Sequence, residues 1–324
     1  MIRRLTVVYL PVPGPSPLVP WGEAVVAAIG KKHHIRIYDP NHPMAPQVED
    51  AEVIVDWSGS YGTPEMVAAA RSLRLWQFLI TGLDHVDLEC WRARGIPVAN
   101  CPGFSSAVAL AELAMMFILM LARKYPIAWQ NLQKGLYFEP VGQELAGLRL
   151  GLIGFGASAR ELARRAQPFG LRVSAVVRDV HRVPQQEYCL EEAVGLEALD
   201  RIVAESDILS LHVPLTSETY HILDARRLNL MKPTAFLINV ARGALVDEVA
   251  LEKALAEGRL GGAGLDVFSM EPPDLNSPLF RLPNVITTPH IAASTREVLQ
   301  RRAAIAAENA DRVAAGLEPL YRVI

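Results

Sequence analysis

The sequence predicts an α/β protein made of two units, each a doubly wound parallel sheet covered by helices. Short β-branched runs alternate with helical patterns along most of the chain, which is typical of parallel strands beneath helices. One long apolar helix, 107–122, interrupts this alternation, which then resumes. The 324 residues suffice for two domains, each with its own core.

The strands are predicted from short apolar runs bounded by turn residues. In the first unit they are 6–10, 35–38, 53–56, 75–80 and 97–99. In the second unit they are 149–153, 172–177, 208–211, 235–238, 262–265 and 285–287. Helical patterns cover 21–29, 64–72 and 160–167.

The long apolar helix is predicted to be buried rather than to span a membrane. Glu112 interrupts it, and the remaining stretch 113–122 is too short to cross a bilayer. The apolar N-terminal run 5–10, which precedes the proline-rich stretch 11–15, is shorter than a secretory signal requires. We therefore expect no membrane partner.

Composition narrows the function classes further. The 32 Lys and Arg residues against 35 Asp and Glu residues leave a net charge of −3, so the basic excess of a nucleic-acid-binding protein is missing. Cys90, Cys101 and Cys189 are far apart and odd in number, which argues against a disulfide framework and favours a cytoplasmic location. Metal-ligand spacing is absent as well, so no metal is expected.

A glycine-rich turn opens the second unit. Gly154 and Gly156 follow an apolar strand, Ala157 and Ser158 come next, and Ala159 completes a Gly-x-Gly-x-x-Ala pattern before a helix. The first glycine permits a tight turn, the second lets backbone approach a pyrophosphate, and the helix N-terminus favours phosphate. The pattern indicates dinucleotide binding, although a glycine-rich turn without a ligand has the same local sequence.

Further polar segments follow predicted strands, where α/β folds place their active sites. They are 211–216, 239–247, 264–272 and 287–292, with 82–88 and 95–100 upstream. Together and in this order, these segments resemble the D-isomer-specific 2-hydroxyacid dehydrogenases over nearly the whole chain.

The resemblance implies that a Rossmann dinucleotide-binding domain, residues 101–289, is inserted into a flavodoxin-like substrate domain, residues 1–100 and 290–324. A cleft between the two domains is expected to hold the reactants. Cofactor contacts are expected from Gly154, Gly156, Ala157, Ser158, Arg178, Val213, Pro214, Val240, Ala241 and Asp266.

The resemblance also assigns the catalytic roles. Hydride transfer to a 2-oxo acid builds negative charge on oxygen, and His290 is the expected proton donor. Glu271 orients its ring and favours the imidazolium. Arg242 and the backbone N–H groups around Thr81 and Gly82 are expected to bind the substrate carboxylate. Each of these side chains taken singly is also consistent with an ordinary solvated loop residue.

The motif set is most similar to those of glyoxylate and hydroxypyruvate reductases, but the pocket-sizing residues around 57–61 say little about the substrate. The resemblance therefore implies an oxidoreductase for a small 2-oxo acid or D-2-hydroxy acid. The alternative is a dinucleotide-sensing corepressor on the same fold with little turnover.

The choice between NAD and NADP depends on the end of the second strand of the second unit, residues 172–177. An acidic residue there selects NAD by binding the ribose 2′-hydroxyl. Val177 stands where that acid usually lies and Arg178 follows, so NADP is favoured over NAD, with Arg182 as a second candidate for the 2′-phosphate. Two alternatives stay open: Asp179 reaches the ribose, or Arg178 only stacks on adenine.

A homodimer is the expected assembly. The helix near 105–122 is apolar on more than one face, and in the family this segment forms the dimer contact. The segment 135–140 extends toward the partner or forms an intrachain loop, with Tyr137 and Phe138 as packing groups.

Overall fold

A computed structural model describes residues 3–12, 21–59 and 62–324. Its contacts divide the chain into two compact units: unit 1 is Met1–Ser105 with Ser294–Ile324, and unit 2 is Ser106–Ala293. Each unit carries one parallel sheet, so the predicted α/β class is confirmed. Residues 13–15 of the proline-rich stretch and residues 60–61 of the pocket-sizing segment lie outside the described residues.

Unit 1 has five parallel strands in the order β2, β1, β3, β4, β5. They are β1 Thr6–Leu10, β2 His34–Ile37, β3 Val53–Asp56, β4 Leu75–Phe78 and β5 Val98–Ala99. The helices are α1 Trp21–Ile29, α2 Ala45–Val48, α3 Pro64–Ala69, α4 Glu89–Ala93 and the C-terminal α11 Arg296–Ala314. The residues of β3 and β4 are all buried, and apart from Asp56 and Gln77 they are apolar, which is typical of strands covered on both faces.

Unit 2 has seven parallel strands in the order β12, β11, β10, β9, β6, β7, β8. They are β6 Arg149–Ile153, β7 Arg172–Val176, β8 Glu192–Val194, β9 Ile208–Leu211, β10 Phe236–Asn239, β11 Gly262–Leu265 and β12 Val285–Thr287. The helices are α5 Ala107–Ala122, α6 Tyr125–Gln133, α7 Ala157–Ala166, α8 Leu199–Glu205, α9 Ala225–Leu228 and α10 Glu248–Ala256.

The order of strands in unit 2 creates a switch point between β6 and β9. From β6 the chain moves to β7 on one side, whereas from β9 it moves to β10 on the other. Helices then cover opposite faces of the sheet and leave a crevice at the carboxyl ends of β6 and β9. Ligands of open α/β sheets bind at such a point.

Helix α5 packs into the core of unit 2. Ala111, Ala114, Phe117 and Ile118 are fully buried, as the continuous apolar run predicts. Gly264 on β11 has no room for a side chain, because a Cβ there would lie 2.5 Å from Phe117. None of the helices in the described ranges is both long and apolar enough to cross a membrane.

Among its differences from the structure, sequence reasoning missed strand β8 and placed the start of α7 too late. Strand β8 is a short edge strand whose three residues are only half-buried, and Glu192 pairs with Arg201, so its apolar pattern is weak. Helix α7 begins at Ala157 rather than at Arg160 as predicted. Gly156 adopts the extended cap conformation, which lets the helix start directly after it.

Candidate active site

The turn after β6 has a backbone that only glycine permits at its first position. Gly154 has a φ of +90°, and a Cβ there would lie 2.6 Å from the carbonyl oxygen of His212. A Cβ on Gly156 would meet nothing within 4 Å, so open space lies beside this residue. Ala159 is fully buried, and its small side chain lets α7 pack closely on the sheet.

Helix α7 begins directly at this turn, and no side chain caps its N-terminus. The N–H groups of the first turn, which include those of Ala157 and Ser158, carry the positive end of the helix dipole. Open space beside Gly156 and an uncapped helix N-terminus fit the pyrophosphate of a dinucleotide. The four predicted residues, Gly154, Gly156, Ala157 and Ser158, make up this turn and the start of α7.

His212, which the sequence places in the loop after β9 near the expected cofactor, links the turn to that neighbouring strand. Its Nδ1 lies 2.9 Å from Oγ of Ser158, and its Nε2 lies 2.9 Å from Oγ of Ser210. Burial lowers the pKa of His212 to about 4, so the ring is neutral at pH 7. A neutral imidazole between two hydroxyls holds the first turn of α7 against β9.

The other predicted cofactor residues of this sheet follow β9 and β10. Val213 and Pro214 come after β9, and Cγ1 of Val213 would lie 2.8 Å from a Cβ on Gly154. Val240 and Ala241 come after β10; Val240 is only 4% exposed, so its side chain packs in the core. All four residues share the carboxyl edge of the sheet with the glycine-rich turn.

At the end of β7, Val177 is half-buried and Arg178 is exposed. The Asp179 carboxylate is already engaged: one oxygen accepts a hydrogen bond from the His181 N–H at 3.1 Å, and the other lies 3.0 Å from Nε of Arg182. The side chains of Asp179 and Arg182 are thus paired with each other, whereas Arg178 forms no ion pair with any described residue.

The Arg242 loop is held by an amide beneath it. Asn239, the last residue of β10, is 1% exposed; its Nδ2 donates to the carbonyl oxygen of Arg242 at 2.8 Å, and its Oδ1 accepts from Ala241 N at 3.1 Å. Nη1 of Arg242 donates to the carbonyl oxygen of Ala241 at 2.9 Å. The loop backbone is therefore fixed close to the strand end.

Gly243 brings this loop against the segment after β11. A Cβ on Gly243 would lie 1.9 Å from the carbonyl carbon of Phe268 and 2.4 Å from the amide nitrogen of Ser269. Two stretches of backbone thus pack directly on each other, with no room for a side chain between them. The contact places the residue after Arg242 against the segment that leads to Glu271.

Glu271 and His290 form a hydrogen-bonded pair. Oε2 of Glu271 lies 2.7 Å from Nδ1 of His290, and Oε1 accepts from the Phe268 N–H at 3.1 Å. Partial burial opposes ionisation of Glu271, but the hydrogen bond from His290 and the charges of His290 and Arg242 outweigh it and lower its pKa. An ionised carboxylate therefore faces the ring, which is half exposed.

Asp266 holds the loop that carries His290. Its carboxylate is fully buried and accepts hydrogen bonds from Oγ1 of Thr288 at 2.5 Å and from the N–H groups of Ile291 and Ala292, both at 2.8 Å. The His290 N–H donates to the Asp266 carbonyl oxygen at 2.8 Å, and His290 has a φ of +52°. This network stabilises a left-handed backbone conformation that is uncommon for histidine.

Arg242, Glu271 and His290 therefore come together at one edge of unit 2, after β10, β11 and β12. Among the described residues, no group of three or more His, Cys, Asp or Glu side chains is placed to hold a metal ion. This edge carries the guanidinium of Arg242, the carboxylate of Glu271 and the imidazole of His290, and the glycine-rich turn lies on the same edge of the sheet. Such groups suit the transfer of a proton to a bound anionic substrate.

In unit 1, Thr81 and Gly82 follow β4. Nδ2 of Asn100 donates to the Thr81 carbonyl oxygen at 2.7 Å. Within the described part of unit 1, the N–H groups of Thr81 and Gly82 donate to no acceptor, so both are available to an anion.

Sequence analysis missed a buried carboxylate in unit 1. Asp56, at the end of β3, is 1% exposed and accepts hydrogen bonds from Ser58 N at 3.1 Å, Gly59 N at 2.8 Å and Nε1 of Trp76 at 3.2 Å. Burial raises its pKa to about 6 in spite of these bonds. Asp56 therefore holds the loop after β3 through its bonds to Ser58 and Gly59. An acidic residue at the end of an apolar strand was the sequence signal that could have identified it.

Comparison with known proteins identifies relatives of the whole chain. The model of the D-isomer specific 2-hydroxyacid dehydrogenase NAD-binding domain matches residues 115–292. The chain is 38% identical over 312 residues to a glyoxylate reductase of Thermococcus litoralis, with 91% of each chain covered. It is 38% identical over 262 residues to a hydroxypyruvate reductase of Thermotoga maritima, covering 80% of this chain and 83% of that relative.

Solved structures show the same similarity. The D-lactate dehydrogenase of Aquifex aeolicus, complexed with NAD and lactic acid, is 30% identical to this chain. The two superpose with a TM-score of 0.80, and the match covers 96% of each chain.

Proposed function

Because the chain belongs to the D-isomer specific 2-hydroxyacid dehydrogenase family, we propose that it reduces a small 2-oxo acid, of the glyoxylate and hydroxypyruvate type, to the D-2-hydroxy acid. The observation that carries the proposal is the Glu271–His290 pair at 2.7 Å, on the same sheet edge as Arg242 and the glycine-rich turn. Unit 2 would bind the dinucleotide, and unit 1 would contribute substrate contacts.

The chemistry divides between cofactor and protein. A bound nicotinamide supplies the hydride for the carbonyl carbon. His290 donates a proton to the carbonyl oxygen as that oxygen gains charge, so the carbonyl becomes a hydroxyl and the ring becomes neutral. Glu271 holds Nδ1, which leaves Nε2 as the nitrogen for proton transfer. In the reverse direction the neutral ring accepts the hydroxyl proton.

Two groups of donors would bind the substrate carboxylate. Arg242 carries a permanent charge and a planar fork that suits a carboxylate. The N–H groups of Thr81 and Gly82, which have no acceptor among the described residues of unit 1, are the second set.

We propose NADP as the preferred cofactor. Arg178 is exposed at the end of β7 and has no ion-pair partner among the described residues, so it is available to a 2′-phosphate. The alternative in which Asp179 binds the ribose is disfavoured, because both of its carboxylate oxygens are engaged by His181 and Arg182.

We also propose a homodimer. An apolar strip of large side chains, each more than a third exposed, runs along α5, α6 and the segment after them. Its members are Val108, Met116, Leu119, Tyr125, Trp129, Leu132, Leu136, Tyr137, Phe138 and Val141. A cluster of this kind is typical of an interface between subunits.

We also propose that the protein is located in the cytoplasm. All three cysteines are free thiols, and Cys189 is exposed. Free thiols on a protein surface suit a reducing compartment.

The test is an absorbance assay of NADPH consumption with glyoxylate, hydroxypyruvate and pyruvate. We expect turnover of at least one of them. His290→Gln should lower kcat by about 10²–10⁴-fold and leave NADPH binding, measured by nucleotide fluorescence, nearly unchanged. The exposed His42 serves as control, and His42→Gln should match the parent. Nucleotide binding without turnover of any 2-oxo acid would instead support the corepressor alternative.

A further inference from the structure

Arg302 is a buried arginine in the second turn of α11. It is only 5% exposed, and its Nε lies out of contact with solvent without a hydrogen-bond acceptor. Among the described residues no carboxylate forms an ion pair with it. Asn309 on the same helix shows the contrast, because this fully buried amide bonds to Gln77 and twice to Leu320.

The surroundings of Arg302 lie at the carboxyl end of the unit 1 sheet. Its guanidinium carbon is 5.8 Å from the ring centre of Trp21, which begins α1. Trp21 in turn contacts Trp57, the residue after β3, with ring centroids 3.8 Å apart. Burial raises the pKa of the Cys101 thiol, after β5, and the positive charge of Arg302 opposes that rise. The Cys101 N–H donates a hydrogen bond to the Ile80 carbonyl oxygen at 3.0 Å.

This end of the sheet contains a second switch point. In the order β2, β1, β3, β4, β5 the chain leaves β1 toward β2, whereas it leaves β3 toward β4. The carboxyl ends of β1 and β3 therefore border a crevice of the kind that binds ligands. Trp21 and Trp57 follow these two strands.

Other buried donors share the same end without partners. The hydroxyl of Tyr9 on β1 and that of Thr81 after β4 are both buried and make no hydrogen bond. The nearby carboxylate of Asp56 is occupied by Ser58, Gly59 and Trp76. The end of the sheet thus offers hydrogen-bond donors and one permanent positive charge, while its one buried carboxylate is already bonded.

A buried guanidinium without a partner is costly, and the chemistry that satisfies it best is an anionic oxygen. Its planar fork binds a carboxylate or a phosphate through two parallel hydrogen bonds. Thr81 also carries one of the N–H groups assigned to the 2-oxo acid carboxylate. An acidic group bound to Arg302 would therefore belong to the remainder of the same substrate.

We propose that Arg302 is a specificity-determining residue that binds a second acidic group of the substrate. The inference rests on the proposed function. Among the small 2-oxo acids it favours those that carry a carboxylate or phosphate beyond the carbonyl carbon. Hydroxypyruvate has a neutral hydroxyl at that position and pyruvate has only a methyl group. We therefore expect kcat/KM for hydroxypyruvate to lie between the values for these acids and for pyruvate.

The first test compares kcat/KM for pyruvate, hydroxypyruvate, oxaloacetate and 3-phosphohydroxypyruvate. The last two distinguish a carboxylate from a phosphate. In the parent, kcat/KM for one or both of these acids should exceed kcat/KM for pyruvate. Arg302→Met should lower that preference by about 10–100-fold, because hydrogen bonds to a charged group are lost. Its kcat/KM for pyruvate should stay within about threefold of the parent value. Arg302→Lys, which keeps the charge without the fork, should retain part of the preference.

The matched control is Arg296→Met, which removes an exposed arginine from the start of the same helix. It should leave all substrate ratios unchanged. A preference for acidic substrates that is equal in the parent and in Arg302→Met would overturn the proposal.

The second test reads binding without turnover. Malonate, a dicarboxylate that cannot be reduced, should raise the thermal unfolding temperature of the parent and not that of Arg302→Met. Equal stabilisation of both proteins would overturn the inference. The two proposals fail separately: no turnover of any 2-oxo acid defeats the proposed function, whereas turnover of pyruvate with unchanged ratios in Arg302→Met defeats only this inference.

Discussion

Oε2 of Glu271 lies 2.7 Å from Nδ1 of His290, although the two residues are 19 positions apart in sequence. The other carboxylate oxygen accepts the Phe268 N–H at 3.1 Å, so both oxygens are fixed. The carboxylate therefore has one orientation, and it directs the ring.

Glu271→Gln should move the pH dependence of 2-oxo acid reduction to lower pH. The pKa of Glu271 is lowered, so its carboxylate is ionised at neutral pH and favours the imidazolium. Reduction needs the protonated ring and falls as pH rises. Without the negative charge this fall should begin at lower pH, as pH–rate profiles of kcat/KM would show.

Glu248→Gln is the control for that experiment. Glu248 accepts a hydrogen bond from Ser269 N at 2.8 Å and so holds the same loop. None of its hydrogen bonds involves His290, and its variant should keep the parent profile. A Glu271→Gln profile that coincides with the parent would show that the carboxylate does not act on the ring.

Gly243→Ala should damage catalysis without preventing dinucleotide binding. The added Cβ would lie 1.9 Å from Phe268 backbone, so the Arg242 loop or the Glu271 segment must shift. Displacement of catalytic groups by about 1 Å costs on the order of 10²-fold in rate. Steady-state kinetics and NADPH fluorescence titration measure the two effects.

Gly103→Ala is the matched control, because a Cβ at Gly103 would meet nothing within 4 Å. Its kinetics should match those of the parent. Normal kcat in Gly243→Ala would mean that the two segments can separate without consequence for the site.

Arg178→Ala should reduce the preference for NADPH over NADH by about tenfold or more, since it removes a charge-assisted contact to the 2′-phosphate. The ratio of kcat/KM for the two cofactors is the measurement. Arg172, at the other end of β7 and paired with Glu191, provides the control: Arg172→Ala should leave the ratio unchanged. A parent that prefers NADH would refute the assignment.

Light scattering at micromolar concentration should report a dimer. Trp129 is 50% exposed and Phe138 is fully exposed within the apolar strip, so Trp129→Asp combined with Phe138→Asp should weaken association. Val249→Asp introduces one such charge at an 83% exposed valine outside the strip and should remain dimeric. A monomeric parent would contradict the proposal.

Sequence patterns located the strands and the polar segments because these are local features. The buried strands of both sheets are mainly apolar, and Arg242, Glu271 and His290 each come after one of them in the chain. Neighbouring parallel strands bring such ends to one edge, so their proximity followed from the alternation of elements. Strand β8 was missed because an edge strand with Glu192 at its start lacks that apolar signal.

Burial of particular polar groups could not be predicted in this way. Arg301 and Arg302 are adjacent in sequence, yet Arg301 bonds to the Ser105 carbonyl oxygen whereas Arg302 is buried beside Trp21. Which of the two faces the sheet depends on the rotation of α11 about its own axis as it packs on the unit 1 sheet. Two neighbouring arginines on a helix leave that rotation open.

The sequence by itself determined the two α/β units, the glycine-rich turn and the polar residues at the strand ends, because hydrophobic periodicity and glycine backbone requirements act over a few residues. Only the tertiary structure decided the partners of those residues. The Ser158–His212 hydrogen bond spans 54 positions, and the Gly243 contact joins two separate loops. Such contacts depend on how strand ends are placed by packing of the whole sheet, which no local pattern encodes.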